Sequence, residues 1–157
     1  MKGFVPTPRS TVDEMVSRLF ISRPPRACDS LLDPGCGTGE FVDGVLRWCE
    51  RHHVPRPQIT GVESDSRHLP VLREKYKHIP EVNIEHRDFL TEGERSYDFI
   101  VGNPPYVPIT ALSEEEKVRF RKLYSTARGR FDLYILFFEQ ALRSLAPHGR
   151  LVFITPE

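Results

Sequence analysis

The 157 residues lack an excess of charge of either sign, with 22 Lys+Arg against 22 Asp+Glu. A protein that grips nucleic acid by itself carries a basic surplus. The balance argues against a stand-alone nucleic-acid binder and leaves room only for a local basic face. Cysteine is scarce: Cys28, Cys36 and Cys49 are odd in number and form no C-x-x-C pair. That argues against a disulfide framework or a metal site and fits a reducing cytoplasm. No apolar run is long enough to span a membrane, nothing reads as a signal peptide, and no segment repeats. Proline is plentiful, at 14 residues, but it falls at turns and forms no low-complexity tract. With 39% apolar residues, the chain suffices for one domain with a real core.

What is present alternates. Residues 11–20 place Val12, Met15, Val16, Leu19 and Phe20 on one helical face, and Thr11 with Glu14 has the spacing of a capping box. "LLDPGCGTGEF" reads as strand, glycine turn and helix start, the helix continuing through "VDGVLRWCERH". "PQITGVESD" is a second strand, "HLPVLREKY" a short helix with Pro70 in its first turn, "VNIEHRDF" a third strand and "SYDFIVGN" a fourth. Ser113 to Tyr124 opens with a second capping-box spacing, Ser113 and Glu116. "DLYILFFEQALRSL" reads as a buried helix ended by "APHG", and "RLVFIT" as strand five. Strands alternating with helices predict a parallel α/β sheet with its sites at the strand C-termini.

Each strand end carries a chemical group. After strand one, Asp33, Gly35, Gly37 and Gly39 give a G-x-G-x-G turn, which lets a ligand approach the main chain and a helix N-terminus. Alone it is a weak signal, whose bland alternative is a tight strand–helix turn with no ligand. Glu63, at the tip of strand two, is placed to accept from ribose hydroxyls or is an ordinary solvated acid. Asp88 and Phe89, after strand three, suit an adenine amine and an adenine ring, or are a turn aspartate and a core phenylalanine. Together, in order, the three describe a pocket for an adenosine bearing an amino-acid tail, and that ligand is S-adenosylmethionine.

The fourth strand ends in Asn103-Pro104-Pro105-Tyr106. Proline has no N–H, so the loop offers carbonyl acceptors with few donors beside them, and the Asn103 side-chain oxygen is one more. Two acceptors aimed at one point suit an NH₂ group. Drawing a conjugated amine towards tetrahedral geometry would localise its lone pair for attack on a methyl group, with positioning and electrostatics supplying the rate. Tyr106 offers a flat face for a planar target such as a base flipped from a duplex. The bland alternative is a proline-rich turn that caps the strand.

These motifs, with "TPRSTVDEMV" before them and "YSTARGRFDLYILFFEQALRSLAPHGRLVFITPE" after, resemble the gamma-class, TaqI-type adenine-N6 DNA methyltransferases of restriction–modification systems, in the family's motif order over nearly the whole chain. The resemblance implies a Rossmann-like class I S-adenosylmethionine-dependent methyltransferase fold, incomplete at about five parallel strands with flanking helices. By it, Asn103, Pro104, Pro105 and Tyr106 are catalytic. Thr7, Asp33, Gly35, Gly37, Glu63, Ser64, Asp88, Phe89, Asn103, Pro105 and Phe137 surround the cofactor. Residues 1–157 would be the N-terminal part of a catalytic domain acting on a flipped adenine in double-stranded DNA, without the later strands and the target-recognition domain. A strand order of 3-2-1-4-5 would leave "RLVFIT" as a bare edge open to a partner chain or to self-association. "NPPY" also occurs in protein-glutamine and RNA methyltransferases, which gives a second reading. The third is a non-catalytic fragment that binds cofactor or a partner.

Overall fold

The computed structural model describes residues 5–91, 93 and 95–155. Five strands, β1 (Ser30–Asp33), β2 (Gln58–Glu63), β3 (Val82–His86), β4 (Tyr97–Gly102) and β5 (Leu145–Phe153), pair in parallel in the order β3-β2-β1-β4-β5. Helices α1 (Arg9–Leu19), α2 (Glu40–His52), α3 (Leu69–Tyr76), α4 (Glu114–Leu123) and α5 (Leu133–Arg143) flank it. Successive strand side chains point to opposite faces, and here both faces are covered. Leu31 and Phe99 join Val12, Val16, Leu19, Phe20, Phe41 and Val45 on one side. Their neighbours Leu32 and Ile100 join Phe120, Tyr124, Leu136 and Phe137 on the other. Strands of a parallel sheet buried on both sides read as unbroken apolar runs, as "DFIVG" does.

Two details depart from the sequence reading, and one bears it out. The first helix begins at Arg9, with Pro8 as its N-cap and no side-chain capping bond. Thr11 therefore lies inside the first turn, and Glu14 is drawn away to Arg18 at 2.8 Å. "APHG" is not a helix stop followed by a new strand. It lies within β5: Tyr97 already pairs with Leu145, the register then shifts, and pairing resumes at Phe99 with Arg150. His148, at φ 63°, takes up the shift in the left-handed region. The Ser113 cap is real, its hydroxyl accepting from Glu116 N–H at 3.1 Å.

The segment carrying α4 leaves and returns at one point. Ile109 N–H donates to Phe131 O at 2.9 Å and Leu133 N–H to Val107 O at 2.8 Å. The Asp132 carboxylate accepts from Val107 N–H at 3.0 Å and caps α5 through Tyr134 N–H at 3.2 Å. Among the described residues, β5 pairs on one side only.

Candidate active site

From β1 the chain winds one way to β2 and β3, and β4 and β5 lie on the other side, so the loops after β1 and β4 part and leave a crevice. A cavity of about 240 Å³ opens there. Its walls include Gly35, Ser64, Asp88, Phe89, Asn103, Pro105 and Phe137, seven of the residues singled out above. Thr7, Asp33, Gly37, Glu63, Pro104 and Tyr106 do not line it and stand behind or beside it.

The glycine turn is held from below by carboxylates. Asp33, 1% exposed, accepts from Gly35 N–H at 3.2 Å through Oδ1, while Oδ2 has no partner. Burial pushes its pKa up to about 8, and Glu40 and Glu63 add to the rise. Glu63 is fully buried, and its two oxygens accept from Gly37 N–H at 2.6 Å and Asp65 N–H at 2.8 Å. It therefore ties the tip of β2 to the glycine turn, and each oxygen keeps a second lone pair. Gly39, at φ 92°, starts α2, and a Cβ there would lie 2.3 Å from the Tyr76 hydroxyl. Only glycine fits both the conformation and the space. A Cβ on Gly35 would point towards Phe137 at 3.9 Å.

The aromatic walls come from two elements. Phe89, in the turn after β3, meets Phe137 of α5 with ring centroids 5.4 Å apart. Asp88 Oδ1 accepts from Leu90 N–H at 2.9 Å and braces that turn. Tyr124, just beyond α4, donates to Leu90 O at 2.5 Å from a buried position and pins the turn from the other side. Sequence reasoning missed the α4 wall. Glu116, Arg119 and Phe120 share one face of that helix and line the cavity, with Leu90 and Leu133. Their i, i+3, i+4 spacing marked a face, but nothing in the sequence says what that face meets.

At the end of β4, the Asn103 amide nitrogen donates to Val5 O at 3.2 Å and Thr7 Oγ1 at 3.1 Å. Its oxygen, Oδ1, is buried and has no partner. Pro104 and Pro105 are buried. Tyr106 donates to Ile154 O at 3.2 Å and meets Tyr134 edge-on at 6.0 Å between centroids. Burial raises its pKa, with Asp132 adding to the shift.

A crevice at the switch point of a parallel sheet is the usual ligand site of doubly wound α/β folds. A solved class I S-adenosylmethionine-dependent methyltransferase from Listeria monocytogenes shares this fold, with a TM-score of 0.71 at 20% identity over 95% of this chain and 45% of that one. The sequence matches the Eco57I restriction-modification methylase family over residues 58–157, and the chain belongs to that family. The modification methylase CviBIII of Paramecium bursaria Chlorella virus NC1A is 34% identical over 128 residues, 81% of this chain and 30% of the relative. The type II methyltransferase M.TthHB8I of Thermus thermophilus is 32% identical over 163 residues, 98% of this chain and 34% of the relative. A release factor glutamine methyltransferase of Caulobacter vibrioides is 31% identical over 151 residues, 91% of this chain and 50% of the relative. Among solved structures, the methyltransferase subunit of a type I restriction-modification system from Streptococcus thermophilus matches with a TM-score of 0.73 at 16% identity. That match covers 94% of this chain and 33% of that one and is a likeness of fold. The chain thus spans about a third of the CviBIII and M.TthHB8I methyltransferases and half of the glutamine methyltransferase.

S-adenosylmethionine is the cofactor of this family and fold, and the residues present fit it. The crevice has apolar walls for a flat ring. A ligand with positive charge would favour the ionised form of the Asp33 carboxyl beneath the glycine turn. The two buried acceptors that lack partners, Asp33 Oδ2 and Asn103 Oδ1, flank the glycine turn and the end of β4. Among the described residues no cluster of side chains could hold a metal ion, and no helix is long and apolar enough to cross a membrane.

Proposed function

We propose that these residues form the N-terminal, catalytic portion of a DNA methyltransferase, gamma-class by motif order, that modifies the exocyclic N6 amine of adenine as part of a cytoplasmic restriction–modification system. The observation that carries the reading is the Asn103 side-chain oxygen, buried without a partner beside the cavity, at the head of "NPPY". A buried acceptor left unsatisfied is costly, and a substrate N–H would satisfy it.

The cofactor supplies an electrophilic methyl group on a sulfonium. The chain's own residues do the rest. Asn103 Oδ1 and the Pro104 carbonyl accept the two N–H bonds of the target amine, draw it towards tetrahedral geometry and direct its lone pair at the methyl group. Tyr106 supplies the face on which the adenine, flipped from double-stranded DNA, stacks. Glu63 takes the ribose hydroxyls with its remaining lone pairs, and Asp88 takes the cofactor's adenine amine. Phe89, Phe137 and Pro105 enclose that ring. Asp33, Gly35, Gly37 and Ser64 complete the surroundings of the cofactor, and Thr7, which does not line the cavity, stands behind Asn103.

A second reading is methylation of a protein glutamine, favoured by the similarity to the release factor methyltransferase over 91% of this chain. A side-chain amide also presents an NH₂ group to two acceptors. Expressing the gene that encodes these residues in a methylation-deficient bacterium, then analysing DNA nucleosides and release-factor peptides, separates the two. The expected result is N6-methyladenine in DNA. Methylated glutamine with unmodified DNA overturns the first reading in favour of the second.

A further inference from the structure

We infer that Thr7 is a positioning residue: its hydroxyl holds the Asn103 amide in the one orientation that presents oxygen, and not nitrogen, to the reacting centre. The inference deepens the function proposed above and rests on it.

The oxygen and nitrogen ends of an amide have nearly the same size. Turning the group over costs little sterically, yet it reverses its chemistry. Nitrogen facing the target amine would set donor against donor, and no activation would follow. The surrounding hydrogen bonds therefore decide. A main-chain carbonyl can only accept, so the atom 3.2 Å from Val5 O is the nitrogen. The Thr7 hydroxyl receives the second N–H at 3.1 Å. Oδ1 is left on the other side, buried and without a partner.

The two anchors are not equal. Val5 is 51% exposed, so water competes for its bond, whereas Thr7 is 8% exposed. Thr7 is thus the shielded anchor. It does not line the cavity, so its path to the reacting centre runs through Asn103. Ninety-six positions separate the two residues. They meet because the segment leading into α1 crosses the end of β4.

The test compares two cofactor analogues by calorimetry on this chain. S-adenosylhomocysteine has nothing where the methyl group would be. Sinefungin carries an amine there, a donor for Asn103 Oδ1. Wild-type chain should prefer sinefungin by about tenfold, the worth of one charged hydrogen bond. Asn103→Ala should abolish the preference. Thr7→Val should cut it by about fivefold or more while leaving S-adenosylhomocysteine affinity within about twofold, and Thr7→Ser should restore it. Thr7→Ala serves in place of valine if that variant does not fold. Full sinefungin preference in Thr7→Val, with loss in Asn103→Ala, overturns the inference and leaves the proposed function standing. Equal loss of both analogues in Thr7→Val also overturns it, because Thr7 would then support the cofactor itself. No preference in wild type and no change in Asn103→Ala overturns the role proposed for Asn103, and the inference with it.

Discussion

Replacing Asp33 by asparagine should stabilise the chain in mild alkali and change it little in acid. The carboxyl lies at the end of β1, 1% exposed, with one N–H bond to Oδ1 and none to Oδ2. Burial moves its pKa from 3.8 to about 8. The unfolded chain ionises this group near pH 4, while the folded chain keeps the proton until about 8. Between those values the folded state binds more protons, so stability is highest below the lower value and falls as pH rises to the upper one. At about 1.4 kcal/mol per unit, ionising the buried group costs on the order of 5 kcal/mol. Asparagine keeps an oxygen for Gly35 N–H and removes the titration. Urea unfolding at about pH 5 and about pH 8.5 should show the wild type losing stability over that window and the variant holding level. The gap between them should widen by roughly 2–5 kcal/mol. Parallel pH profiles would refute the reasoning. A cationic ligand favours the ionised carboxyl. The heat of S-adenosylmethionine binding to the wild type should therefore depend on the ionisation enthalpy of the buffer, and that dependence should vanish in the variant.

Glu63→Ala should weaken cofactor binding by about tenfold or more, measured by calorimetry. It should also lower the melting temperature, because Gly37 and Asp65 N–H lose their acceptor. An unchanged dissociation constant would leave Glu63 as a clamp on the turn and nothing more. Asn103→Ala, in the protein that carries out methyl transfer, should leave S-adenosylmethionine affinity near wild type and reduce turnover by about 100-fold or more. Turnover close to wild type would dismiss the amine-activation account. The β5 edge, with Leu151, Val152 and Phe153 only half buried, should make the isolated 157-residue chain self-associate. The same chain, with its zero net charge, should bind cofactor without methylating duplex DNA. A monodisperse monomer in sedimentation that transfers labelled methyl groups to specific adenines would contradict both statements.

Much of the architecture is legible because it is written locally. The apolar runs ending in Asp33, Glu63 and Gly102 are strands for the reason any doubly covered parallel strand is, and the order β3-β2-β1-β4-β5 follows the family's motif order. The Ser113 cap was readable because an N-cap needs only four consecutive residues. The Thr11 box misled for the same reason: its spacing is right, but Pro8 starts the helix earlier and leaves that threonine inside it. "APHG" has the composition of a stop, and only the pairing of Tyr97 with Leu145 shows that the strand has already begun. The glycine turn and "NPPY" announced themselves through residues with special backbones. The wall made by Glu116, Arg119 and Phe120, and the grip of Thr7 on Asn103, depend on which distant segments the fold brings together. Neither a propensity nor a spacing encodes that.

The closed neck at Val107 and Leu133 turns residues 108–132 into a loop fastened at its base, anchored to the core through Phe120 and Tyr124. Both of its ends are fastened to each other before the chain rejoins the sheet. Closing a longer loop across such a neck adds only a logarithmic entropy cost. Residues inserted at the exposed stretch 128–130 should therefore leave "NPPY" on one side and α5 on the other in place. The cofactor cavity borrows one wall from this loop and the remainder from the sheet. Chains of this build can thus remodel the outer wall of the pocket, while the groups at the strand ends stay where the sheet holds them.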